Sequence, residues 1–430
     1  MKRIFKMNLS TIKRGMFITL FFVFVMDLFL VYGQAYQLNI VLPEEVGLSP
    51  SFTEQIDKIV NKTIDRGIIP GAVVLIAKDG KIVKKSAYGV IQKYDMGKLL
   101  KNPILMTTDI LFDLASITKV MATTQAVMKL VSENMLNVSD PVAKYIPKFG
   151  SDDKNSITIA DLLSHSSGLT AWAPAYFHAS NSVEMLDYIC NLSLEYKTGT
   201  KSVYSDFSFM LLGFVVEKFT GKRLDVYLNE EIYFKLGLKN TIFNPLPNFV
   251  NKIAATSWGN PYEYKMVADD NFGYKCEEDV DDFNRWRKYT LIGEVHDGNA
   301  FYANNGIAGH AGLFSTASDL AVLAQLMLNH GVYEKIRLYD KNVVKNFTKL
   351  QSFGRGYGWE MNKKYMGKFC SDRAYGHSGF TGVNIIIDPE YDLQIIILTN
   401  KLNNGQKVDG KYHSTWDMCS QISDAVYNAF

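Results

Sequence analysis

Phe112-Asp113-Leu114-Ala115-Ser116-Ile117-Thr118-Lys119-Val120 opens a helical pattern that runs to about Glu133. At 3.6 residues per turn, Gln125, Lys129, Ser132 and Glu133 form one polar stripe. Val120, Met121, Val127, Met128, Leu130 and Val131 cover most of the remaining surface. The spacing predicts a largely buried helix, with Ser116 and Lys119 one turn apart and facing inward at its N-terminus. Burial disfavours the ammonium form of a lysine, so a neutral amine able to take the serine proton is expected. The unpaired N–H groups and positive dipole end of that first turn suit developing negative charge. These residues read as a nucleophile with its base.

The pattern S-x-x-K does not decide this alone. Ser10-Thr11-Ile12-Lys13 and Ser151-Asp152-Asp153-Lys154 also match it, the first in a basic N-terminal segment and the second in a polar loop. Only Ser116–Lys119 heads an apolar helix.

The 430-residue chain is 47% hydrophobic and 21% charged with a net charge of +2, a globular composition that gives no reason to expect nucleic acid. Lys2, Arg3, Lys6, Lys13 and Arg14 precede a mostly apolar run from Met16 to Gly33, interrupted by Asp27. Residues 1–36 therefore read as a signal peptide or an N-terminal membrane anchor, and residues 37–430 as one domain. Gly33-Gln34-Ala35 offers small residues for cleavage, so retention and removal both stay open. The basic flank places the rest of the chain outside the cytoplasm, touching a membrane only through that segment. No cysteine precedes Cys190, which excludes a lipidated cysteine at a processed N-terminus. Cys190, Cys276, Cys370 and Cys419 are widely spaced, and spacing does not show whether disulfides form.

A helix is expected from Leu48 to Gly67, then a strand at Ala72–Lys78, a tight turn at Asp79-Gly80 and a partner strand at Lys81–Tyr88. Helices and loops fill most of 116–350. Strands return at Val383–Ile387 and Leu393–Leu398, and Ser414–Phe430 reads as an amphipathic helix with Trp416, Cys419, Ile422 and Val426 on one side. These elements imply one antiparallel sheet assembled from both chain ends. The acidic run Glu277, Glu278, Asp279, Asp281 and Asp282 lacks EF-hand spacing and reads as a solvated loop. Glu294, His296, Asp297 and His310 can be drawn as a metal site, but histidines so scattered are more often structural. No metal and no cofactor is expected.

With Ser116 and Lys119 in place, the sequence resembles the penicillin-recognising serine hydrolases: class C-type β-lactamases, D-alanyl-D-alanine carboxypeptidases and related esterases. The resemblance runs from about Pro70 to the C-terminus. It rests on Phe112–Lys119, Asp161-Leu162-Leu163-Ser164-His165-Ser166-Ser167-Gly168-Leu169, Tyr204-Ser205-Asp206 leading into Leu211-Leu212-Gly213, Gly312-Leu313-Phe314-Ser315 and His377-Ser378-Gly379. Gly293-Glu294-Val295-His296-Asp297-Gly298-Asn299-Ala300 is similar to low-molecular-mass penicillin-binding proteins. Tyr302-Ala303-Asn304 matches the family's Tyr-x-Asn more literally than Tyr204 does, and Lys197-Thr198-Gly199 spells its Lys-Thr-Gly. Motif order favours Tyr204 and His377 instead.

The resemblance implies an α+β, β-lactamase-like fold: an antiparallel sheet flanked by helices, with a mainly helical region inserted. It implies acyl transfer, with Ser116 attacking a carbonyl, Lys119 and Tyr204 jointly relaying the proton, and the N–H groups of Ser116 and Phe380 holding the oxyanion. Asp206, His377, Ser378, Gly379 and Phe380 would contact substrate, Asp206 standing for an amide and His377 for a lysine. A free histidine titrates near ~6.5, so His377 is expected to act as a cation and set an alkaline limit to activity. Both departures weaken the case for an efficient β-lactamase. The partners implied are peptidoglycan-derived peptides, esters or amides, with β-lactams as acylating ligands. Three readings stay open: an exported hydrolase, foremost a D-alanyl-D-alanine carboxypeptidase with esterase, muramoyl-alanine amidase and weak β-lactamase as neighbours; a penicillin-binding sensor that acylates on Ser116 and stalls; and a metal hydrolase built on His296 and His310.

Overall fold

Ala72-Val73-Val74-Leu75-Ile76-Ala77 is apolar at every position because its strand is covered on both faces. The computed structural model describes residues 37–430 except Ser151, Leu246 and Asn362; the expected signal or anchor segment lies outside the described residues. Among the described residues no helix is long and apolar enough to cross a membrane.

Strands β1 (Gly71–Lys78) and β2 (Lys81–Gly89) form a hairpin. Asp79 and Gly80 have φ of 50° and 72°, matching the two-residue turn expected there. The C-terminal part of the chain supplies β3 (Glu360–Met361), β4 (Tyr375–Ser378), β5 (Asn384–Asp388) and β6 (Leu393–Thr399). Their order is β3-β4-β5-β6-β1-β2, antiparallel throughout, with Val74 opposite Ile397 and Ile76 opposite Ile395. The sheet expected from the two chain ends is this one, and its four main strands fall within one residue of their expected bounds.

Five helices complete the frame: α1 (Ser51–Asp65), α2 (Thr124–Ser132), α3 (Asp206–Thr220), α4 (Ala317–Leu328) and α5 (Trp416–Tyr427). Successive strand residues point to opposite faces. Ala72, Val74, Ile76, Ile395 and Ile397 therefore pack on Phe52, Ile56 and Val60 of α1 and on Cys419, Ile422 and Val426 of α5. Val73, Leu75, Ile396 and Leu398 join the core shared by α2, α3 and α4. Trp416 departs from the expected face: it is 45% exposed at the first turn of α5, against Tyr365, while Met418 is buried. The four cysteines are free thiols.

The opening stretch corrects the simple helical reading. Phe112 and Asp113 are strand residues, pairing with Ser315 and Phe314 of Leu313–Ser315, which also pairs with Ile242–Phe243. The helix begins at Ile117, and Lys119–Thr123 is a π-helical turn ahead of α2. That wider turn shifts the phase of the α2 residues after it. Gln125 and Lys129, expected on a solvent stripe, are buried; the Gln125 amide donates to the Val120 carbonyl at 2.9 Å, and Lys129 reaches Glu133 at 2.6 Å.

Candidate active site

Asp113 ends its short strand with its carboxylate turned back on the chain. Its Oδ1 accepts from the Ala115 N–H at 2.8 Å, its Oδ2 from the His296 N–H at 2.7 Å, and its carbonyl from the Thr381 hydroxyl at 2.7 Å. These bonds fix Ala115 at φ 44°, in the left-handed region that a residue with a Cβ seldom occupies. Ser116 comes directly after this bend. Burial pushes the Asp113 carboxyl up to about 6, with the two N–H donors opposing. Gly379 presses on the same bend: a Cβ there would lie 2.6 Å from the Leu114 carbonyl. Gly312-Leu313-Phe314-Ser315 braces it from the other side, since the Leu313 carbonyl accepts from the Leu114 N–H at 2.9 Å.

The fully buried Lys119 ammonium donates to Ser116 Oγ at 3.0 Å, to Asp206 Oδ1 at 2.7 Å and to the His310 carbonyl at 3.3 Å. It lies 4.8 Å from the centre of the Tyr204 ring. Burial alone would drive this amine toward neutrality, but Asp206 and Tyr204 outweigh it and hold Lys119 above its ordinary value. The resting lysine is therefore charged, which corrects the neutral amine expected from burial. Asp206 has a second duty beyond that expected of it: it lines the cavity and is also the counter-ion of Lys119.

Tyr204 is raised by burial, with the Lys119 charge and the Ser116 hydroxyl beside it opposing. Its ring lies against His165, with centroids 4.5 Å apart. His165 sits at φ 56° and accepts the Ser205 N–H on Nδ1 at 2.9 Å, so the Ser164-His165-Ser166-Ser167 stretch serves as a shelf for Tyr204. Tyr302 lies in the aromatic cluster of Tyr176, Phe283 and Phe301, its hydroxyl accepting from the Arg287 N–H at 3.0 Å. Lys197-Thr198-Gly199 is a turn before α3 in which the Thr198 hydroxyl bonds to the Ser167 carbonyl.

His377 stands on β4, 1% exposed, with its ring 6.0 Å from that of Tyr204 and its Nδ1 donating to the Ser378 carbonyl at 2.7 Å. Burial pushes it down to about 4, with Glu360 opposing. It is neutral throughout the physiological range, so the expected role as a titrating cation that sets an alkaline limit is corrected. Ser378 is half-buried, and Phe380 is 40% exposed at the rim of the cavity. Neither the Ser116 nor the Phe380 N–H has an intramolecular acceptor among the described residues.

Ser116, Tyr204, Asp206 and Phe380 border a cavity of about 390 Å³. Its other walls include Trp172, Tyr262, Glu263 and Tyr274, which the sequence did not single out, and His296, Asp297 and His310, which it offered only as a metal set. The candidate metal set is split. Glu294 stands apart on the Tyr289 hydroxyl and Arg287. Donor atoms of Asp206, Asp297 and His310 lie within 4.8 Å of one another, yet Lys119 already occupies Asp206 and His310 already holds Asp297 at 2.8 Å. Each of the three thus has a partner within the protein, while His310 Nδ1 has none. Arg355 was also missed: it is buried, its guanidinium lies 5.7 Å from the Tyr204 ring centre, and its Nε and Nη2 have no partner. A lone arginine between two glycines carries no sequence signal of this kind.

Residues 56–417 match the Beta-lactamase family. The chain is 40% identical over 390 residues to an N-acetylmuramyl-L-alanine amidase of Bacillus subtilis, covering 86% of this chain and 85% of that relative. It is 38% identical over 380 residues to an Escherichia coli protein named provisionally as a D-alanyl-D-alanine carboxypeptidase, covering 84% of each. Its fold is shared with a penicillin-binding protein homologue from Caulobacter crescentus, at a TM-score of 0.67 and 19% identity over 89% of this chain and 99% of that one. A serine on a strained bend, a lysine in contact with it and this extent of likeness lead to one conclusion: the chain belongs to the Beta-lactamase family of serine hydrolases.

Proposed function

We propose that the protein is an exported hydrolase of peptidoglycan-derived peptides, acting through an acyl-enzyme on Ser116, and foremost a D-alanyl-D-alanine carboxypeptidase. The observation that carries this reading is the contact chain from Ser116 Oγ to Lys119 Nζ to Asp206 Oδ1, at 3.0 and 2.7 Å, under the Tyr204 ring. The resting group holds one proton too many, since Lys119 is an ammonium and Tyr204 a phenol. Loss of that proton frees the Lys119–Tyr204 pair to accept the Ser116 proton as the hydroxyl attacks a carbonyl. The unpaired N–H groups of Ser116 and Phe380 would take the oxyanion, each such donor contributing roughly 3–4 kcal/mol. Water then releases the acyl group.

A substrate ending in a carboxylate calls for a cation, and His377 is neutral. Arg355, buried beside Tyr204 with two unpartnered guanidinium nitrogens, supports the carboxypeptidase reading in its place. The Bacillus subtilis relative favours a second reading, cleavage of the amide between a muramoyl group and L-alanine. Mass spectrometry of protein and products after three substrates tests both. With a peptide ending in D-Ala-D-Ala, release of one D-Ala supports the first reading. With N-acetylmuramoyl-L-alanyl peptides, release of the intact peptide supports the second. A stable adduct with penicillin and no turnover of either would overturn both in favour of a sensor.

A further inference from the structure

Between Ile91 and Leu105 the chain leaves the edge of the sheet as a hairpin. The Ile91 N–H donates to the Ile104 carbonyl at 3.0 Å, the Leu100 N–H to the Lys93 carbonyl at 2.9 Å, and Tyr94–Asp95 pairs with Lys98–Leu99. The hairpin is tied down, since Asn403 Oδ1 accepts from the Lys93 and Tyr94 N–H groups at 2.7 and 2.9 Å. Met96 and Gly97 form its tip at φ 44° and 76°. Such a two-residue turn favours asparagine, aspartate or glycine at its first position. This chain places a methionine there and leaves it exposed. Leu99, Ile104 and Leu105 are exposed as well, Leu99 by 64% and Leu105 by 73%. Trp258 joins them from a neighbouring loop, 54% exposed. The Met96 N–H donates to Thr290 Oγ1 at 2.8 Å, Thr290 pairs with Trp258, and a Cβ on Gly97 would lie 3.2 Å from the indole.

Exposed apolar side chains scattered singly are ordinary, but five on and beside one braced hairpin mark a contact surface. Charge selects the partner. The hairpin carries Lys93, Lys98 and Lys101 against Asp95 alone. Lys98, Lys101 and Lys288 are exposed and, among the described residues, stand in no ion pair. Elsewhere the exposed Lys144, Lys148 and Lys222 each hold a carboxylate. Lys288 adjoins Trp258, its carbonyl accepting from the indole N–H at 3.0 Å. Apolar side chains and a tryptophan among unpaired lysines complement an anionic lipid surface, where methylenes and rings enter the interface and ammonium groups meet phosphates. Position agrees with charge. The edge strand β2 joins the hairpin to the start of the described chain: Ile40 pairs with Ile82 at one end, and Val90, directly after β2, pairs with Leu105 at the other. The sequence before Gln37 holds the apolar run Met16–Gly33, so a tether there would bring this edge to a bilayer.

We infer that the hairpin Ile91–Leu105 and Trp258 form a docking surface for an anionic lipid bilayer, a second contact beyond the one expected of residues 1–36. The inference is independent of the reaction proposed for Ser116.

The test adds the full chain to vesicles with brominated acyl chains, made of phosphatidylcholine and phosphatidylglycerol at about three to one or of phosphatidylcholine alone. A membrane-held N-terminal segment would retain the protein on either vesicle, so the readout is local: the Trp258 emission, taken as the difference between the native chain and Trp258→Phe. That emission is expected to fall at least about twofold on the anionic vesicles, to change little on the neutral ones, and to recover in high salt. Lys98→Glu with Lys101→Glu, and separately Leu99→Ser with Leu105→Ser, should each abolish the quenching. Hydrolysis of p-nitrophenyl acetate in solution should stay unchanged in both, which shows that the fold is intact. No quenching on the anionic vesicles, equal quenching on the two kinds, or quenching that survives both pairs of changes overturns the docking surface. So does a native chain that self-associates in solution and turns monomeric in Leu99→Ser with Leu105→Ser, which assigns the patch to a second copy.

Discussion

The Lys119 ammonium and the Asp206 carboxylate lie 2.7 Å apart beside Ser116, and this pair fixes the charge state of the nucleophile's partner. Replacing the carboxylate by an amide removes the attraction that opposes burial, so the amine loses its proton more readily. In Asp206→Asn the acid limb of kcat/KM should move to lower pH. A profile on p-nitrophenyl acetate checks this, and an unmoved limb would show that Lys119 is not the group titrating there.

Ser116→Ala should lower hydrolysis by roughly a thousandfold or more, the scale seen when a nucleophile is removed from a unit that acts together. Ser10→Ala and Ser151→Ala should leave it unchanged, since neither residue heads the buried helix. Ester hydrolysis by purified Ser116→Ala at the wild-type rate would remove the basis of the assignment.

The two tyrosines should separate by what each change damages. Tyr204→Phe removes a hydroxyl next to Lys119 and Ser116 and should slow kcat by about 10²–10⁴-fold at unchanged melting temperature. Tyr302→Phe removes the acceptor of the Arg287 N–H and should cost about 1 kcal/mol of stability with kcat preserved. Kinetics and calorimetry on the pair decide it, and the reverse pattern would make Tyr302 the catalytic residue.

His377 should register in stability rather than in rate. Its folded value of about 4 lies below the unfolded value near ~6.5, so in that window the unfolded chain binds more protons. The native state therefore loses stability as pH falls from about 6.5 to about 4, by a few kcal/mol at most. His377→Asn should flatten this part of the curve relative to wild type in urea titrations, and it should leave any alkaline limb of activity where it is. An alkaline limb that moves in this variant would restore the cationic role.

Arg355→Gln tests how a terminal carboxylate is held. KM for a peptide ending in D-Ala-D-Ala should rise by about tenfold, and KM for the same peptide with its carboxylate amidated should stay put. An equal rise for both would mean that the guanidinium supports Tyr204 and does not touch substrate.

The strands were legible because their burial is nearly complete: Ala72–Ala77 and Leu393–Leu398 have no polar face except Gln394. Ser116, Lys119 and Tyr204 were legible by order along the chain. The neutral states expected and found changed places: Lys119 is charged because of a partner far away in sequence, and His377 is uncharged because the fold buries it. Asp206 lies 87 residues from Lys119, and no periodicity reports such a pairing. The π turn at Lys119–Thr123 was hidden for a related reason, since Lys-Val-Met-Ala-Thr fits an ordinary helix equally well. Glu263 and Arg355 carried no local pattern at all.

The pairing of β1 with β6 has a consequence for the birth of the protein. Val73 meets Leu398, so during synthesis the first hairpin emerges with a fully apolar edge and waits for nearly the whole chain before its neighbour exists. Contacts this distant in sequence slow folding, and an open apolar strand is a template for wrong partners.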